Sequence, residues 1–342
     1  MAPQQKSALN IVMVIPSYSG WRHDVGEESK EGARVHNLSD VEAILDVFQA
    51  HGHTEIDTAR TYTGGTSEEY LGKIDWRSRG LKIETKLYPN VANKRLQNPN
   101  RAMISHAPED LRKHLETSMK ALNIDQLEMW YLHGPDRTTP YEVTLKAVND
   151  LYKEGKFRRF GISNYMSWEV AEIVQICRTN GYIQPTAYQG IYNAVHRKVE
   201  PELFPCLRKY GISFYEFNPL GGGFFTGRYS SPDQDVEPGS RFDPTKGQGR
   251  LLERAVLQRA RSIQKVAEAH NLTMAEIALR WISHHSLMKR EYGDAVIIGA
   301  SSLNHIEQNM IDLEKGPLPE AVVQALDEAW LSVAPYASSY FH

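Results

Sequence analysis

The sequence predicts an α/β fold, a (β/α)8 TIM barrel with long loops at the C-terminal face of its strands. Eight short apolar, β-branched runs alternate with longer segments of helical periodicity. A chain of 342 residues accommodates eight such units. A doubly wound dinucleotide-binding sheet would instead carry a G-x-G-x-x-G sequence after its first strand, and the first run is not followed by one.

The runs give the predicted strands in chain order. They are 11–15, 53–58, 81–87, 127–133, 159–163, 186–192, 212–218 and 295–300. Helices are expected between them, with N-caps at Ser39, Ser167 and Thr273. The strand-to-helix connections 16–38, 88–107 and 219–250 are long, and we expect them to rim a pocket. We expect residues 1–342 to form a single domain, with 316–342 as a C-terminal helix and tail.

Composition and charge exclude several classes of function. Lys and Arg number 39 against 42 Asp and Glu, a net charge of −3 that is too balanced to attract nucleic acid or an anionic membrane over a broad surface. The early apolar run at 11–15 is too short for a signal peptide or a membrane span. Cys177 and Cys206 show no metal-binding or disulfide spacing. We expect a cytoplasmic protein that acts on a small molecule, with an oligomer possible.

Polar residues stand at the C-terminal ends of successive runs, where a barrel gathers them into one pocket. Asp57 lies at the end of the second run and Tyr62 follows in a short loop. Lys86 lies near the end of the third run, and His133 ends the fourth. The sequence therefore predicts an acid, a phenol, an amine and an imidazole in one place.

These four types suit proton transfer to a substrate oxygen. A charged Lys86 in a barrel mouth needs a counter-ion, which Asp57 on the adjacent strand supplies. A cation beside a phenol lowers its pKa from about 10 toward neutrality, which makes Tyr62 a usable general acid. His133 would donate to the same oxygen or orient it. Taken singly, a loop tyrosine or a strand-end lysine is usually a surface residue, and the convergence favours the catalytic interpretation.

A metal-dependent barrel hydrolase is an alternative, because His51 and His53 form an H-x-H pattern near Glu55 and Asp57. Both histidines stand at or before the start of the second run. They belong at the face opposite Lys86, where barrel enzymes do not keep their active sites. We therefore expect no metal site.

The same residues carry a family resemblance. Residues 52–59, Tyr62 and residues 67–72 match the signature G-x-x-x-I-D-T-A-x-x-Y-x-x-x-x-S-E-x-x-L-G of the aldo-keto reductases. Further matches follow in the family's order at 84–86, 131–133, 161–164, 188–189, 218–223 and 298–302. The resemblance spans about residues 38–335, and the pattern from 218 to 229 resembles the aflatoxin-aldehyde reductase branch.

The resemblance implies an NADP(H)-dependent reductase of aldehydes or ketones, with Asp57, Tyr62, Lys86 and His133 as the catalytic set and Tyr62 as proton donor. It implies a cofactor extended across the barrel mouth. The implied cofactor residues are Ser163, Asn164, Gln189, Phe217, Asn218, Leu220, Gly222, Ser301, Ser302, Gln308 and Asn309. Of these, Ser163, Asn164 and Gln189 would hold the carboxamide, and Ser301 onward would surround the adenosine phosphate. The charge of the seventh loop adds Arg228, Arg241 and Lys246 as cations for the phosphate, although a run of loop charges is more often only solvated.

The sequence departs from the family pattern at two cofactor positions. Phe217 replaces a tyrosine, and stacking on nicotinamide needs only the ring face. No Lys or Arg stands around Ala300, where many members bind the 2′-phosphate, so NAD(H) is not excluded. A redox-sensing regulatory subunit that binds the cofactor with little turnover is the alternative within this fold.

The last residues predict a substrate preference. Tyr340 and Phe341 would lose hydrophobic stabilisation in a solvated tail, so we expect them to dock over the barrel mouth. The aflatoxin-aldehyde branch often ends with an arginine suited to carboxylates, and His342 stands there instead. A neutral imidazole lacks a permanent bidentate charge. We expect aromatic or apolar aldehydes to be preferred over carboxylated ones.

Overall fold

Parallel strands close into a barrel in chain order, as the sequence predicts. The computed structural model describes residues 4–14, 35, 37–91, 103–228 and 251–342. The strands are β1 Asn10–Val14, β2 Glu55–Asp57, β3 Lys82–Leu87, β4 Leu127–Leu132, β5 Phe157–Ser163, β6 Pro185–Ile191, β7 Ser213–Phe217 and β8 Ala295–Gly299. Closure is made by β8, which pairs with β1 from Asn10 opposite Ala295 to Val14 opposite Gly299.

Each predicted run overlaps one strand. The agreement follows from burial on both faces, since a parallel strand covered by helices reads as a continuous apolar run. The largest difference is β2, where only Glu55–Asp57 is paired. His53 and Thr58, at the two ends of the predicted run, lie outside the ladder although both are buried.

Helices surround the barrel. They are α1 Leu38–Ala50, α2 Thr66–Leu71, α3 Pro108–Ala121, α4 Tyr141–Lys153, α5 Ser167–Asn180, α6 Leu203–Tyr210, α7 Leu251–Ala269, α8 Met274–His284, α9 Leu303–Leu313 and α10 Glu320–Val333. Within the described ranges, none of them is long and apolar enough to cross a bilayer. Much of the three long connections predicted as a pocket rim falls outside the described residues.

Helix starts agree less well with the sequence. Thr273 caps α8 as predicted, accepting a hydrogen bond from the Glu276 amide at 3.0 Å. Ser39 is already inside α1, which begins one residue earlier. At α5 the cap position is Met166, because the Glu169 carboxylate accepts the Met166 amide at 2.8 Å and adds Ser167 to the helix.

Alternation along the strands divides the core into two parts. Apolar side chains between strands and helices form the larger core. A smaller cluster fills the barrel interior and consists of Val12, Val14, Met129, Tyr131, Ala187, Tyr215, Ala295 and Ile297. Tyr62 and Phe217 pack against this interior cluster. The interior is therefore filled by side chains, which leaves its C-terminal mouth as the place for a site.

Candidate active site

A buried ion pair lies at the C-terminal ends of β2 and β3. Lys86 Nζ donates to Oδ1 of Asp57 at 2.6 Å and to Oδ2 at 2.5 Å. It also donates to the Thr58 carbonyl at 2.9 Å, and the Gln189 amide donates to Oδ1 of Asp57 at 3.2 Å. Burial raises the pKa of Asp57, and the charge and hydrogen bond of Lys86 oppose that rise. The pair predicted from the sequence is thus formed away from water.

Tyr62 lies beside this pair. It begins a short 3₁₀ helix, Tyr62–Gly65, in the loop after β2. The Lys86 ammonium is 4.9 Å from the centroid of the half-buried Tyr62 ring. A cation at this distance interacts favourably with the ring and favours the phenolate form over the phenol.

His133 completes the group from the end of β4. Its ring meets Tyr62 edge-on with centroids 5.8 Å apart, and Tyr88 at 5.5 Å on another side. Burial, followed by the charge of Lys86, lowers the pKa of His133 well below its ordinary value. The imidazole is therefore neutral at pH 7 and can act as a hydrogen-bond donor to a substrate oxygen.

The next two strands bring three predicted residues to the same mouth. Ser163 on β5 is in register with Gln189 on β6, and both are buried. Asn164 has a left-handed φ of 66°, which turns its side chain back so that Nδ2 donates to the His133 carbonyl at 2.9 Å. The Asn164 amide also donates to the Ser163 hydroxyl at 3.0 Å. The polar edge of the mouth thus continues from His133 to Gln189.

Residues after β7 form a tight turn. Phe217 ends the strand half-buried, and Asn218 has a φ of 77°. The Asn218 Oδ1 accepts the Gly222 amide at 2.6 Å, which closes the turn around half-buried Leu220. Gly222 itself has a φ of 68°, a conformation that favours glycine. Arg228 is exposed just beyond this turn, and Arg241 lies outside the described residues.

The remaining predicted residues lie just before α9 and along it. Ser302 caps this helix, accepting the His305 amide at 3.3 Å, while buried Asn309 donates to the Gly299 carbonyl at 3.4 Å. Gln308 is exposed and donates to Asp312. A cavity of about 230 Å³ opens here, with Ser301 and Ser302 in its wall together with Val35, Asp40, Ala43, Ile44 and Leu303. Helix N-termini favour anions, so this cavity suits a phosphate-bearing group.

The last six residues, 337–342, pack onto the barrel, with Tyr340 at the starts of α5 and α6. Docking of Tyr340 and Phe341 over the mouth itself stays a prediction. Tyr340 is buried; its hydroxyl donates to Glu202 and accepts the Ser167 amide at 3.0 Å. The His342 amide donates to the Asn164 carbonyl at 3.3 Å, and its ring stacks on Tyr88 at 5.7 Å. This segment, called the tail below, thereby places His342 beside the mouth.

The H-x-H pattern does not reach this mouth. His51 Nδ1 lies 2.6 Å from a Glu314 carboxylate oxygen, and His53 stacks on Phe48 at 5.3 Å. Burial lowers the pKa of His53 to about 4. Over the described ranges, no three His, Cys, Asp or Glu side chains come together as a metal-binding group.

Two residues near the pair were not singled out from the sequence. Tyr88 follows β3 directly and contacts both His133 and His342, and the same strand-end criterion would have found it. Glu84 stands two positions before Lys86 on β3, so the period-2 alternation of strands places both side chains on the interior face.

The chain is similar to known proteins along most of its length. The model of the aldo/keto reductase family matches residues 5–331. An aldo-keto reductase of Pseudocercospora fijiensis is 47% identical over 87% of this chain and 100% of its own length. The human aflatoxin B1 aldehyde reductase member 4 is 42% identical over 87% of this chain and 91% of its own length. An aldo-keto reductase of Monascus ruber is 44% identical over 91% of this chain and 93% of its own length.

Proposed function

The chain belongs to the aldo-keto reductase family and is an oxidoreductase that acts on carbonyl groups, and we propose that it is an NADP(H)-dependent reductase of aldehydes or ketones. The observation that carries the proposal is the buried Lys86–Asp57 pair, with its ammonium 4.9 Å from the Tyr62 ring and with His133 edge-on to that ring. Such a group is built to move a proton at one oxygen atom.

In the proposed reaction Tyr62 donates its hydroxyl proton to the carbonyl oxygen as that oxygen gains negative charge. When bound, the nicotinamide supplies the hydride that reaches the carbonyl carbon. Lys86 favours the phenolate that remains on Tyr62, and Asp57 holds the ammonium in place. The neutral His133 donates a hydrogen bond that orients the carbonyl oxygen.

The residues present fit a nicotinamide dinucleotide. Asn164 uses its Nδ2 within the chain, and its Oδ1 has no hydrogen-bond partner among the described residues, which leaves an acceptor for a carboxamide. Phe217 offers a half-buried ring for stacking. Gly222 allows close backbone approach, and the cavity beside Ser301 suits an adenosine phosphate. We assign the other cofactor residues named in the sequence analysis the roles that the family resemblance implies, and we propose NADP(H) as the preferred cofactor.

The tail supports a proposed substrate class of aromatic or extended apolar aldehydes. Burial, followed by the charge of Arg137, lowers the pKa of His342, so its imidazole is neutral at pH 7. The stacked rings of Tyr88 and His342 present an aromatic wall beside His133. Arg137, which could otherwise attract a carboxylate, is bound to Glu169 at 2.8 Å and to the His342 main-chain oxygen at 3.2 Å.

An NADPH-oxidation assay with apolar, aromatic and carboxylated aldehydes tests the proposal directly. We expect turnover by the unmodified protein and a kcat about 10² to 10⁴ lower for Tyr62→Phe, the usual contribution of a positioned general acid. Cofactor affinity should not change in that variant, because the stacking face of the mouth is intact. The control is Tyr336→Phe, whose ring is exposed. A Tyr62→Phe kcat within about threefold of the unmodified protein contradicts the assigned role.

A further inference from the structure

The barrel interior holds more acids than cations. Glu55 and Asp57 on β2 and Glu84 on β3 face it, with Lys86 and Arg159 as the cations. Lys86 is bound to both oxygens of Asp57, and Arg159 lies 3.2 Å from Glu55. In the described part of the chain, Glu84 has no cation within salt-bridge distance. The third acid is thus left without a counter-ion.

Burial and two neighbouring acids also disfavour a negative charge on Glu84, against the opposing effects of Arg159 and the Tyr131 hydrogen bond. It is completely buried, and it is in register with Asp57 on the neighbouring strand. The charged and titratable groups that face it are Glu55 and Asp57 from β2, Lys86 from its own strand, Tyr131 from β4, Arg159 from β5 and Tyr215 from β7. Burial, then Glu55 and Asp57, raises the pKa of Glu84 well above its ordinary value.

Tyr131 connects Glu84 to the Lys86–Asp57 pair. Its hydroxyl donates to Oε2 of Glu84 at 3.0 Å, and its ring centroid lies 5.9 Å from Lys86 Nζ. Gly161 also packs against the ring, where a Cβ atom would lie 2.3 Å from ring carbons. Packing therefore restricts the position of the Tyr131 ring, and the hydrogen bond to Glu84 fixes its hydroxyl group.

We propose that Glu84 is a positioning residue that works as a neutral carboxylic acid, holding Tyr131 against the Lys86–Asp57 pair and leaving Asp57 as the sole counter-ion of Lys86. The inference rests on the proposed function, because the pair serves Tyr62. An ionised Glu84 would compete with Asp57 for Lys86. It would also disfavour the Tyr62 phenolate and so make Tyr62 a weaker acid.

Infrared difference spectroscopy of the unliganded protein tests the protonation state without turnover. Subtracting the spectrum of Glu84→Gln from that of the unmodified protein at pH 7 should show the carbonyl band of a protonated carboxylic acid. Glu84→Met should give the same band if the glutamine variant fails to fold. The control is the exposed Glu307→Gln, which should show only carboxylate bands. Carboxylate bands in the Glu84 difference spectrum would overturn the proposal.

The pH dependence of kcat tests the positioning role. Glu84→Ala leaves the Tyr131 hydroxyl without its acceptor, and we expect kcat to fall by roughly tenfold or more. Glu84→Gln keeps an acceptor and neutrality, so it should rescue most of that loss with the alkaline midpoint unmoved. A midpoint lowered by about one unit in Glu84→Gln would reveal a removed charge and refute neutrality.

The possible failures can be told apart. An Ala variant with undiminished kcat, or a Gln variant as slow as the Ala variant, refutes the positioning role of Glu84. An unmodified protein that reduces no aldehyde in the panel refutes the proposed function instead. The infrared result holds in either case, because it requires no reaction.

Discussion

Lys86 is the residue on which the proposed chemistry depends most. A buried ammonium is expensive unless its hydrogen bonds are made, and Asp57 and the Thr58 carbonyl accept all three that the structure shows. The resulting charge is fixed beside the Tyr62 ring, with no cost of reorganisation when the substrate oxygen develops charge.

Replacing Lys86 should change both kcat and the pKa that the pH–rate profile reports. We expect Lys86→Met to lower kcat by about 10² to 10⁴ and to raise the pKa of the acidic group in the pH–rate profile, because no cation then favours phenolate. Lys82→Met, at the exposed start of the same strand, serves as the control. An active Lys86→Met enzyme with an unchanged profile would rule out this role for Lys86.

Glu216 on β7 is a buried carboxylic acid that has no role in the proposed reaction. Its side chain is fully buried, and neither carboxyl oxygen has a hydrogen-bond partner among the described residues. Burial raises the pKa of Glu216 well above its ordinary 4.5. The folded chain therefore keeps a proton that the unfolded chain has released, so the free energy of unfolding falls as pH rises above 4.5.

Removing this carboxyl should stabilise the protein. We expect Glu216→Met to raise the free energy of unfolding by about 1 to 3 kcal/mol at pH 7, with the gain growing as pH rises from 5 to 7. Urea unfolding at several pH values measures it, with exposed Glu307→Met as control. A variant that is less stable than the unmodified protein at every pH, or whose gain does not grow with pH, would contradict this expectation.

At the scale of elements, the tail is held by side-chain contacts at several points. Tyr340 bridges Glu202 and the Ser167 amide, at the starts of α6 and α5. Ser338 lies 3.3 Å from the Nε2 of buried His196. These contacts place His342 against Tyr88, and its amide donates to the carbonyl of Asn164, so the tail forms one wall of the mouth.

Deleting residues 338–342 should therefore separate substrate binding from cofactor binding. We expect KM for apolar and aromatic aldehydes to rise, because the Tyr88–His342 wall is lost, and cofactor affinity to remain unchanged. The intact enzyme should show a higher kcat/KM for apolar aldehydes than for short carboxylated ones. Tyr336→Ala, at an exposed ring outside the tail, is the control. A truncated enzyme with unaltered KM, or an intact enzyme that prefers carboxylated aldehydes, would contradict this role.

The elements differ in how far the sequence determines them. The strands were predictable because a strand that is buried on both faces consists of a continuous run of apolar residues. The start of α5 was misplaced by one residue because the Glu169 carboxylate, three residues inside the helix, caps the Met166 amide. That contact depends on side-chain geometry, which composition at a single cap position does not reveal.

At the scale of the whole molecule, the sequence predicted the position of those site residues that belong to a sequence motif and also lie at the C-terminal end of a barrel strand. Strand-end residues such as Asp57 and Lys86 converge because a parallel barrel brings all carboxyl ends to one face. Residues 84–86 match the family pattern, but the role of Glu84 was missed because its neutrality depends on which acids already have cations. That balance is visible only once five strands are assembled. The placement of His342 likewise depends on a fold-wide contact between the tail and the barrel.

Cofactor preference is also a property of the whole mouth. The proposed path runs from Gln189 on β6 to the cavity at the amino end of α9, whose wall includes Asp40. A carboxylate there would repel a 2′-phosphate, whereas the exposed Arg228 would attract it. Asp40 and Arg228 therefore have opposite effects on the preference for NADPH over NADH.

Fluorescence titration with both cofactors tests the balance. We expect a Kd for NADPH at least about tenfold below that for NADH, a difference of about 1.4 kcal/mol. Arg228→Ala should reduce this preference, and Asp40→Asn should strengthen NADPH binding while leaving NADH binding unchanged. The control is Glu42→Gln, an exposed acid on the same helix as Asp40. Equal constants for the two cofactors would refute the NADPH preference, and an Asp40→Asn variant with unaltered NADPH affinity would show that the 2′-phosphate binds away from this cavity.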